Sequence, residues 1–255
     1  TGITLLAPGI ADRSFNYGDG VFTTMLVRDG QVQLWPLHLS RLQLGAQRLG
    51  FGPVDWEKLQ QDVFAAITSA HQVIKLLLSR GEGGRGYSPA DISQPHWYIS
   101  QSVVPDYAAA LEQGISIETA ELTLSVQPLL AGLKHNNRLE QVLLKQEQAR
   151  RGVDDLLVLD QLGFVTEAIS ANVFFYRAGH WYTPELTRAG VAGVMREQLL
   201  SQAAVALINW QQHDIKQVEA MFICNALMGI VPIRQLDRRT LDITPVQQFI
   251  RQVVC

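Results

Sequence analysis

Apolar residues recur every three or four positions in several stretches of the chain, which is the spacing of an amphipathic helix. Leu39, Leu42 and Leu49 follow this spacing, and they predict a helix that begins near Pro36 and ends at Gly50. By the same reasoning, four further helices are predicted over 55–71, over 138–151, over 195–206 and from Thr244 onward.

Runs of β-branched and large apolar residues, bounded by turn residues, predict the strands. Arg28-Asp29-Gly30 separates two such runs and predicts a hairpin, because Asp-Gly favours a tight turn. Further strands are predicted over 73–79, 97–103, 115–124, 156–159, 164–168, 172–176, 181–182 and 221–224. Paired strands with helices between them favour a mixed α+β fold over a regular βαβ array. A polar break near Pro105 predicts two lobes, residues 1–105 and 106–255.

The composition narrows the class of protein. The chain has 255 residues, of which 47% are hydrophobic and 18% charged, with a net charge of −3. This balance is not that of a nucleic-acid-binding protein, and no apolar run reaches the roughly 18 residues that span a membrane. The first residues lack the basic region of a signal peptide. Cys224 and Cys255 form neither a disulfide framework nor a zinc motif, so a cytoplasmic protein without a bound metal is expected.

Only five of the 21 basic residues are lysines, so each can be considered in turn. Three of them, Lys58, Lys145 and Lys216, lie at polar positions and are expected to be solvated. Lys75 interrupts an apolar strand, where it either faces a site or is an outward charge near a sheet edge. Lys134 follows a small-residue turn and precedes the polar cluster at 135–138. Such a turn can hold a nucleophilic lysine partly desolvated, although an isolated lysine more often lies on the surface.

Several turns of small residues are candidate anion sites. The stretch Gly190–Met195 precedes a predicted helix, whose N-terminal N–H groups attract anions. Ser170-Ala171-Asn172 and Asn225-Ala226 are similar turns, although each of the three stretches can equally be a simple turn or cap. Glu167 ends an apolar strand, where a carboxylate needs a cationic partner, either an arginine or a protonated ring nitrogen.

Together these stretches resemble the fold-type IV pyridoxal-phosphate enzymes, the family of the D-amino-acid and branched-chain aminotransferases. The resemblance runs through nearly the whole chain, in residues 17–22, 38–42, 134, 166–167, 170–172 and 193–196. It implies a two-lobed fold, pyridoxal 5′-phosphate as cofactor and a homodimer. Four segments of the sequence, at 18–24, 79–87, 132–140 and 224–228, most closely resemble a lyase branch of this family.

The resemblance also implies roles for individual residues. Lys134 matches the family's Schiff-base lysine, Glu167 the carboxylate that pairs with the pyridine nitrogen, and Arg41 an arginine that reaches the phosphate. The turns that surround the cofactor match Ser170, Ala171, Asn172, Gly193, Val194, Asn225 and Ala226. We predict that Thr24, Arg85 and Arg138 bind the substrate, because arginine suits a substrate with two carboxylates.

The lyase branch converts 4-amino-4-deoxychorismate to 4-aminobenzoate and pyruvate by breaking a carbon–oxygen bond, a step of folate synthesis. The resemblance therefore implies this small-molecule substrate for the chain. An aminotransferase on the same fold is the nearest alternative. A non-catalytic module that binds small anions with the same turns is a more distant one.

Overall fold

The structure, a computed structural model, describes residues 9–83, 86–90 and 94–253. The chain divides into two compact units. Unit 1 holds the residues up to Pro105 together with Leu133–Asn137, and unit 2 holds Asp106–Gly132 and the chain from Arg138 onward. Helices and strands are mixed in both units, which confirms the predicted α+β class. That residues 1–105 and 106–255 form two separate lobes stays a prediction.

Unit 1 is built on a four-stranded antiparallel sheet with the strand order β2-β1-β3-β4. Its elements are α1 (Arg13–Tyr17), β1 (Gly20–Arg28), β2 (Gln31–Val32), α2 (Trp35–Arg48), α3 (Trp56–Ala65), β3 (Gln72–Ser79) and β4 (His96–Ser102). The predicted β1–β2 hairpin is confirmed, and Asp29 and Gly30 both take the positive φ that its two-residue turn requires.

The two faces of strand β1 have different surroundings. Val21 and Met25 point into the apolar core, where they pack with Leu42 of α2 and Leu59 of α3. Because side chains alternate along a strand, Phe22 lies on the opposite face of the sheet. This alternation decides which side chains of β1 share a face with the candidate lysine.

Unit 2 contains a nine-stranded mixed sheet, in which β13 pairs with β12 beside the path β10-β9-β8-β11-β12-β5-β6-β7. Its strands are β5 (Ile115–Thr119), β6 (Asp155–Leu159), β7 (Val165–Ala168), β8 (Asn172–Arg177), β9 (His180–Pro184), β10 (Val205–Ile208), β11 (Ala220–Asn225), β12 (Gly229–Leu236) and β13 (Arg239–Thr240). Its helices are α4 (Ala108–Gln113), α5 (Leu139–Arg151), α6 (Val194–Gln202) and α7 (Thr244–Val253). None of the described helices has the length and apolar character that a membrane span requires.

Three predicted elements are wrong at their C-terminal ends. Helix α6 stops at Gln202 rather than at residue 206, because Ala203 is extended and β10 begins at Val205 beside β9. Helix α3 stops at Ala65 rather than near residue 71, because the Gln72 side chain bonds the backbone on both sides of the turn, from Ala66 to Ser69. Strand β5 stops at Thr119 rather than at residue 124. There the buried carboxylate of Glu147 accepts the backbone N–H groups of Glu121 and Leu122, which pull the chain out of the sheet.

Candidate active site

Lys134 lies on a short extension of the unit 1 sheet. The N–H of Phe22 donates to the carbonyl of Lys134 at 2.9 Å, and the N–H of Asn136 donates to the carbonyl of Gly20 at 3.0 Å. This pairing puts the Lys134 side chain on the Phe22 face of β1, with its Nζ 4.5 Å from the centre of the ring. Lys134 is half-buried. The sequence-predicted lysine is thus held by backbone on one side and by an aromatic ring on the other.

Arg41 belongs to a hydrogen-bonded group on the other face of β1. Its Nη2 donates to Thr23 Oγ1 at 2.6 Å, and Thr23 Oγ1 lies 2.6 Å from Nδ1 of His38. Thr23 Oγ1 accepts from Arg41, and in its contact with His38 the donor is set by the tautomer of the imidazole. Burial, with the positive charges of Arg41 and Lys134, lowers the pKa of His38 from 6.5 to about 3. His38 therefore stays neutral.

The buried His38 is expected to lower the stability of the fold in acid. Its pKa is lower in the folded state, so the unfolded chain binds the proton first, and the free energy of unfolding falls as the pH drops from about 6.5 toward 3. Between pH 7 and pH 4 this one group accounts for about 3 kcal/mol. Denaturant unfolding across this range should therefore depend less on pH for His38→Gln than for the unchanged protein. Parallel curves would contradict a neutral, buried His38.

In unit 2, Glu167 is buried near the end of β7 and is held by the loop before α6. Its Oε2 accepts the backbone N–H of Val191 at 2.8 Å. The neighbouring Gly190 has φ +83°, and a Cβ there would lie 2.7 Å from the methyl group of Thr166 and 2.9 Å from Leu186. Glycine is thus needed for both the backbone angle and the close packing against these two side chains. Burial lowers the pKa of Arg138, and the charge of Glu167 opposes that shift, so the two groups are electrostatic neighbours.

Asn172 fixes the same loop through both atoms of its amide. Its Nδ2 donates to the carbonyl of Val191 at 2.8 Å, and its Oδ1 accepts the N–H of Gly193 at 3.1 Å. Gly193 caps α6 without any side-chain hydrogen bond, and Val194 begins the helix. The loop that receives Glu167 therefore leads directly into a helix N-terminus suited to an anion.

Substitution of Gly193 tests this packing. The φ of −76° allows alanine, but the added Cβ would overlap Oδ1 of the buried Asn172. Gly193→Ala is therefore expected to lower the free energy of unfolding by about 1–2 kcal/mol. In an Asn172→Ala background the same change should cost much less, and denaturant unfolding of the four proteins measures this difference. An equal cost in both backgrounds would show that Asn172 is not the obstacle.

The turn after β11 contacts the turn at residues 170–172. Asn225 Nδ2 donates to the carbonyl of Ser170 at 3.2 Å, while its Oδ1 accepts the N–H groups of Leu227 and Met228. Ala171 is buried behind Ser170, in a tight turn closed by pairing with Ala168. The predicted cofactor turns of unit 2 are in this way linked to each other. Ala226, half-buried in the β11–β12 turn, is part of the same segment.

The predicted substrate residues fall in three different settings. Thr24 is half-buried on the Phe22 face of β1 and pairs across the sheet with Lys75, whose Nζ lies 5.0 Å from the Phe22 ring. Arg138 immediately precedes α5. Arg85 lies outside the described residues. All three roles remain predictions.

Thr23 and His38 form hydrogen bonds beside Arg41 that were not predicted from the sequence. Both residues lie in stretches that resemble the family. The sequence does not show which of the adjacent Thr23 and Thr24 faces Arg41, because that depends on which face of β1 each side chain occupies. Only the structure shows that Thr23 is the one bonded to Arg41. Within the described ranges, no group of three or more His, Cys, Asp or Glu side chains could hold a metal ion.

Comparison with known proteins confirms the resemblance. The amino-transferase class IV family model matches residues 20–236. An aminodeoxychorismate lyase from Vibrio harveyi is 36% identical over 231 residues, covering 88% of this chain and 85% of the Vibrio protein. A putative branched-chain-amino-acid aminotransferase from Methanocaldococcus jannaschii is 27% identical over 91% of this chain and 84% of its own length.

The fold comparison agrees. The crystal structure of 4-amino-4-deoxychorismate lyase from Pseudomonas aeruginosa superposes with a TM-score of 0.90 at 36% identity, covering 96% of this chain and 95% of that one. Since the family model also spans most of the sequence, this chain belongs to the amino-transferase class IV family.

Proposed function

We propose that this chain is a pyridoxal-phosphate-dependent lyase that converts 4-amino-4-deoxychorismate to 4-aminobenzoate and pyruvate. The observation that carries the proposal is the 36% identity, over most of the chain, to lyases from two organisms that are named for this substrate. The aminotransferase relative from Methanocaldococcus jannaschii is less similar, at 27%.

The described residues fit the proposed cofactor. A half-buried lysine, a buried carboxylate and a helix N-terminus without a side-chain cap are the chemical groups that an aldehyde, a pyridine nitrogen and a phosphate require. Neither glycine of the loop before α6 has room for a Cβ, because Gly190 packs against Thr166 and Leu186 and Gly193 packs against Asn172. Arg41 is the proposed cation for the phosphate, as the resemblance implies, and its guanidinium bonds Thr23 on the other face of β1 from Lys134. When bound, pyridoxal phosphate would supply an acceptor for the electrons released at the substrate carbon.

Lys134 has two functions in this proposal. Its Nζ would hold the aldehyde of pyridoxal phosphate when the cofactor is bound. As a neutral amine, the same Nζ would take the proton from C4 of the substrate ring, since a general base has to lie within hydrogen-bond reach of that proton. The bond between the ring and the ether oxygen would then break with formation of the aromatic ring, and the departing enolpyruvate would take up a proton, which Lys134 can return, to become pyruvate.

Glu167 and Arg138 act through charge. The Glu167 carboxylate, fixed by the Val191 N–H, would hold a proton on the pyridine nitrogen of a bound cofactor and so favour electron uptake. Arg138 is a candidate for one substrate carboxylate, because it is half-buried and its guanidinium can bind a carboxylate with two hydrogen bonds. Thr24 and Arg85 are proposed to complete the substrate contacts.

A product assay with the purified protein tests the proposal. The protein loaded with pyridoxal phosphate should turn 4-amino-4-deoxychorismate into equal amounts of 4-aminobenzoate and pyruvate, and the visible absorbance should change when substrate is added. Absence of both products from a protein that binds the cofactor would rule out the lyase function.

Amino transfer is a second candidate function, because the chain also shares 27% identity with an aminotransferase. An amino donor and a 2-oxo acid, supplied without the chorismate substrate, would reveal it as a new amino acid. The lyase proposal predicts that this rate is lower than the rate of 4-aminobenzoate formation.

We also propose that the protein is a homodimer in the cytoplasm. The family resemblance supports the dimer, and the absence of a disulfide framework from the sequence supports a reducing compartment. Sedimentation equilibrium of the purified protein would show a mass near twice the 28.4 kDa of one chain. A monomeric mass would overturn the dimer.

A further inference from the structure

The chain segment that carries Lys134 pairs with β1 over a short stretch. In the described part of the chain, two backbone hydrogen bonds join them, from the N–H of Phe22 to the carbonyl of Lys134 and from the N–H of Asn136 to the carbonyl of Gly20. A shift of one residue in such a pairing moves every side chain to the opposite face of the sheet. Lys134 would then leave the Phe22 face and point to the side of Thr23. The function proposed above therefore depends on what fixes this register.

Asn136 carries a side-chain contact that can fix it. Its Nδ2 bonds to Oγ of Ser14 in α1, and the adjacent Asn137 donates to the carbonyl of Gly18 at 3.3 Å. A Cβ at Gly20 would overlap the Asn136 amide and lie 2.8 Å from the carbonyl of Leu78. Only glycine at position 20 leaves room for the amide, so the Asn136 side chain fits in one register.

The Asn136 amide does not contribute to the stability of the core. Its Oδ1 is buried and has no hydrogen-bond partner among the described residues, which costs free energy. A leucine of similar volume would avoid that cost. A buried polar group of this kind is better explained by the specific geometry that its one bond imposes.

Helix α1 is a firm anchor for that bond. Asp12 caps it by accepting the N–H groups of Ser14 and Phe15, and also bonds Tyr98. The buried Arg13 pairs with Asp19 at 2.9 Å, and Arg80 pairs with the same carboxylate at 2.7 Å. These buried contacts hold the Ser14 hydroxyl in place on the unit 1 sheet.

We infer that the Ser14–Asn136 contact is a positioning device that locks the register of the 134–136 segment on β1 and thereby aims the Lys134 amine. Neither residue takes part in the chemistry. The inference rests on the proposed function only for its catalytic consequence, because the register itself can be observed in the protein without cofactor.

Ser14→Ala and Asn136→Leu test the lock, since each removes the contact and the second also removes the unpartnered acceptor. In the cofactor-free protein, the amides of Phe22 and of position 136 should exchange with solvent about tenfold faster by NMR, while the amides of β3 keep their rates. In the loaded enzyme, kcat should fall about tenfold with KM changed by less than about twofold. Ser14→Thr, which keeps the hydroxyl, should restore both.

Asn16→Ala is the matched control. Asn16 lies on the same helix and bonds the backbone of Ile10 and Asp12, but it does not reach the Lys134 segment. It should change neither exchange nor kcat. Unchanged exchange in Ser14→Ala and Asn136→Leu would overturn the inference, as would faster exchange with an unchanged kcat in an active enzyme. If the unaltered protein forms no 4-aminobenzoate, the proposed function fails, and the amide exchange alone then decides the register lock.

Discussion

Replacing Lys134 with alanine is expected to abolish formation of 4-aminobenzoate, with a rate at least about 10³-fold below that of the unaltered enzyme. The same nitrogen is proposed to hold the cofactor and to move the substrate proton, so both functions are lost together. Borohydride reduction with pyridoxal phosphate should label the unaltered protein at residue 134 and leave Lys134→Ala unlabelled. Mass spectrometry of the peptides and a product assay measure the two effects.

Lys58→Ala is the appropriate control for this experiment. Lys58 is an exposed lysine of the same unit, paired with Asp62 on α3, and a surface pair of this kind contributes little. The control should keep both label and rate. An active Lys134→Ala enzyme would end the proposal that Lys134 is the catalytic lysine. Label at another lysine in the unaltered protein would do the same.

The second large effect is expected for Glu167→Gln. Glutamine keeps an oxygen that can accept the Val191 N–H, so the fold of the loop should survive. The negative charge is lost, and with it the preference for a protonated pyridine nitrogen. We expect kcat to fall about 10²- to 10³-fold while the cofactor still binds. Steady-state kinetics and the visible spectrum of the bound cofactor measure both outcomes.

Glu147→Gln serves as the matched control for charge. Glu147 is also a buried glutamate of unit 2, and it also accepts backbone N–H groups, but at the end of β5. These bonds and Arg151 lower the pKa of Glu147 against the effect of burial, so neutralising it should lower stability. Its kcat should change little. A Glu167→Gln enzyme with the kcat of the Glu147→Gln control would remove Glu167 from the mechanism.

Local signals in the sequence predicted the elements that carry the site. Helix α5 begins and ends within one residue of its predicted bounds. The spacing of its apolar residues predicts the helix, and Gly152, which takes the left-handed conformation, predicts its end. The β1–β2 turn is equally local. Strand β12 was not predicted, although it lies in the middle of the unit 2 sheet, because its residues 229–236 include a proline and an arginine, which weaken a strand pattern.

Contacts between distant parts of the chain explain what sequence patterns could not predict. Nothing near Glu167 in the sequence indicates that Val191 will hold its carboxylate, 24 residues later. The turn residues Asn172 and Gly193 each have an ordinary local explanation, and their mutual hydrogen bond is visible only in the fold. The family resemblance identified these positions, while the structure supplied the physical reason for them.

The interleaved order of the two units has a consequence for synthesis of the protein on the ribosome. Most of unit 1 is complete in the nascent chain once Pro105 has emerged, but the segment that pairs with Gly20–Phe22 follows only after Asp106–Gly132, which belong to unit 2. During that interval, the edge of β1 exposes unpaired backbone groups that can attach to another strand. The last segment to reach unit 1 is the one that carries Lys134.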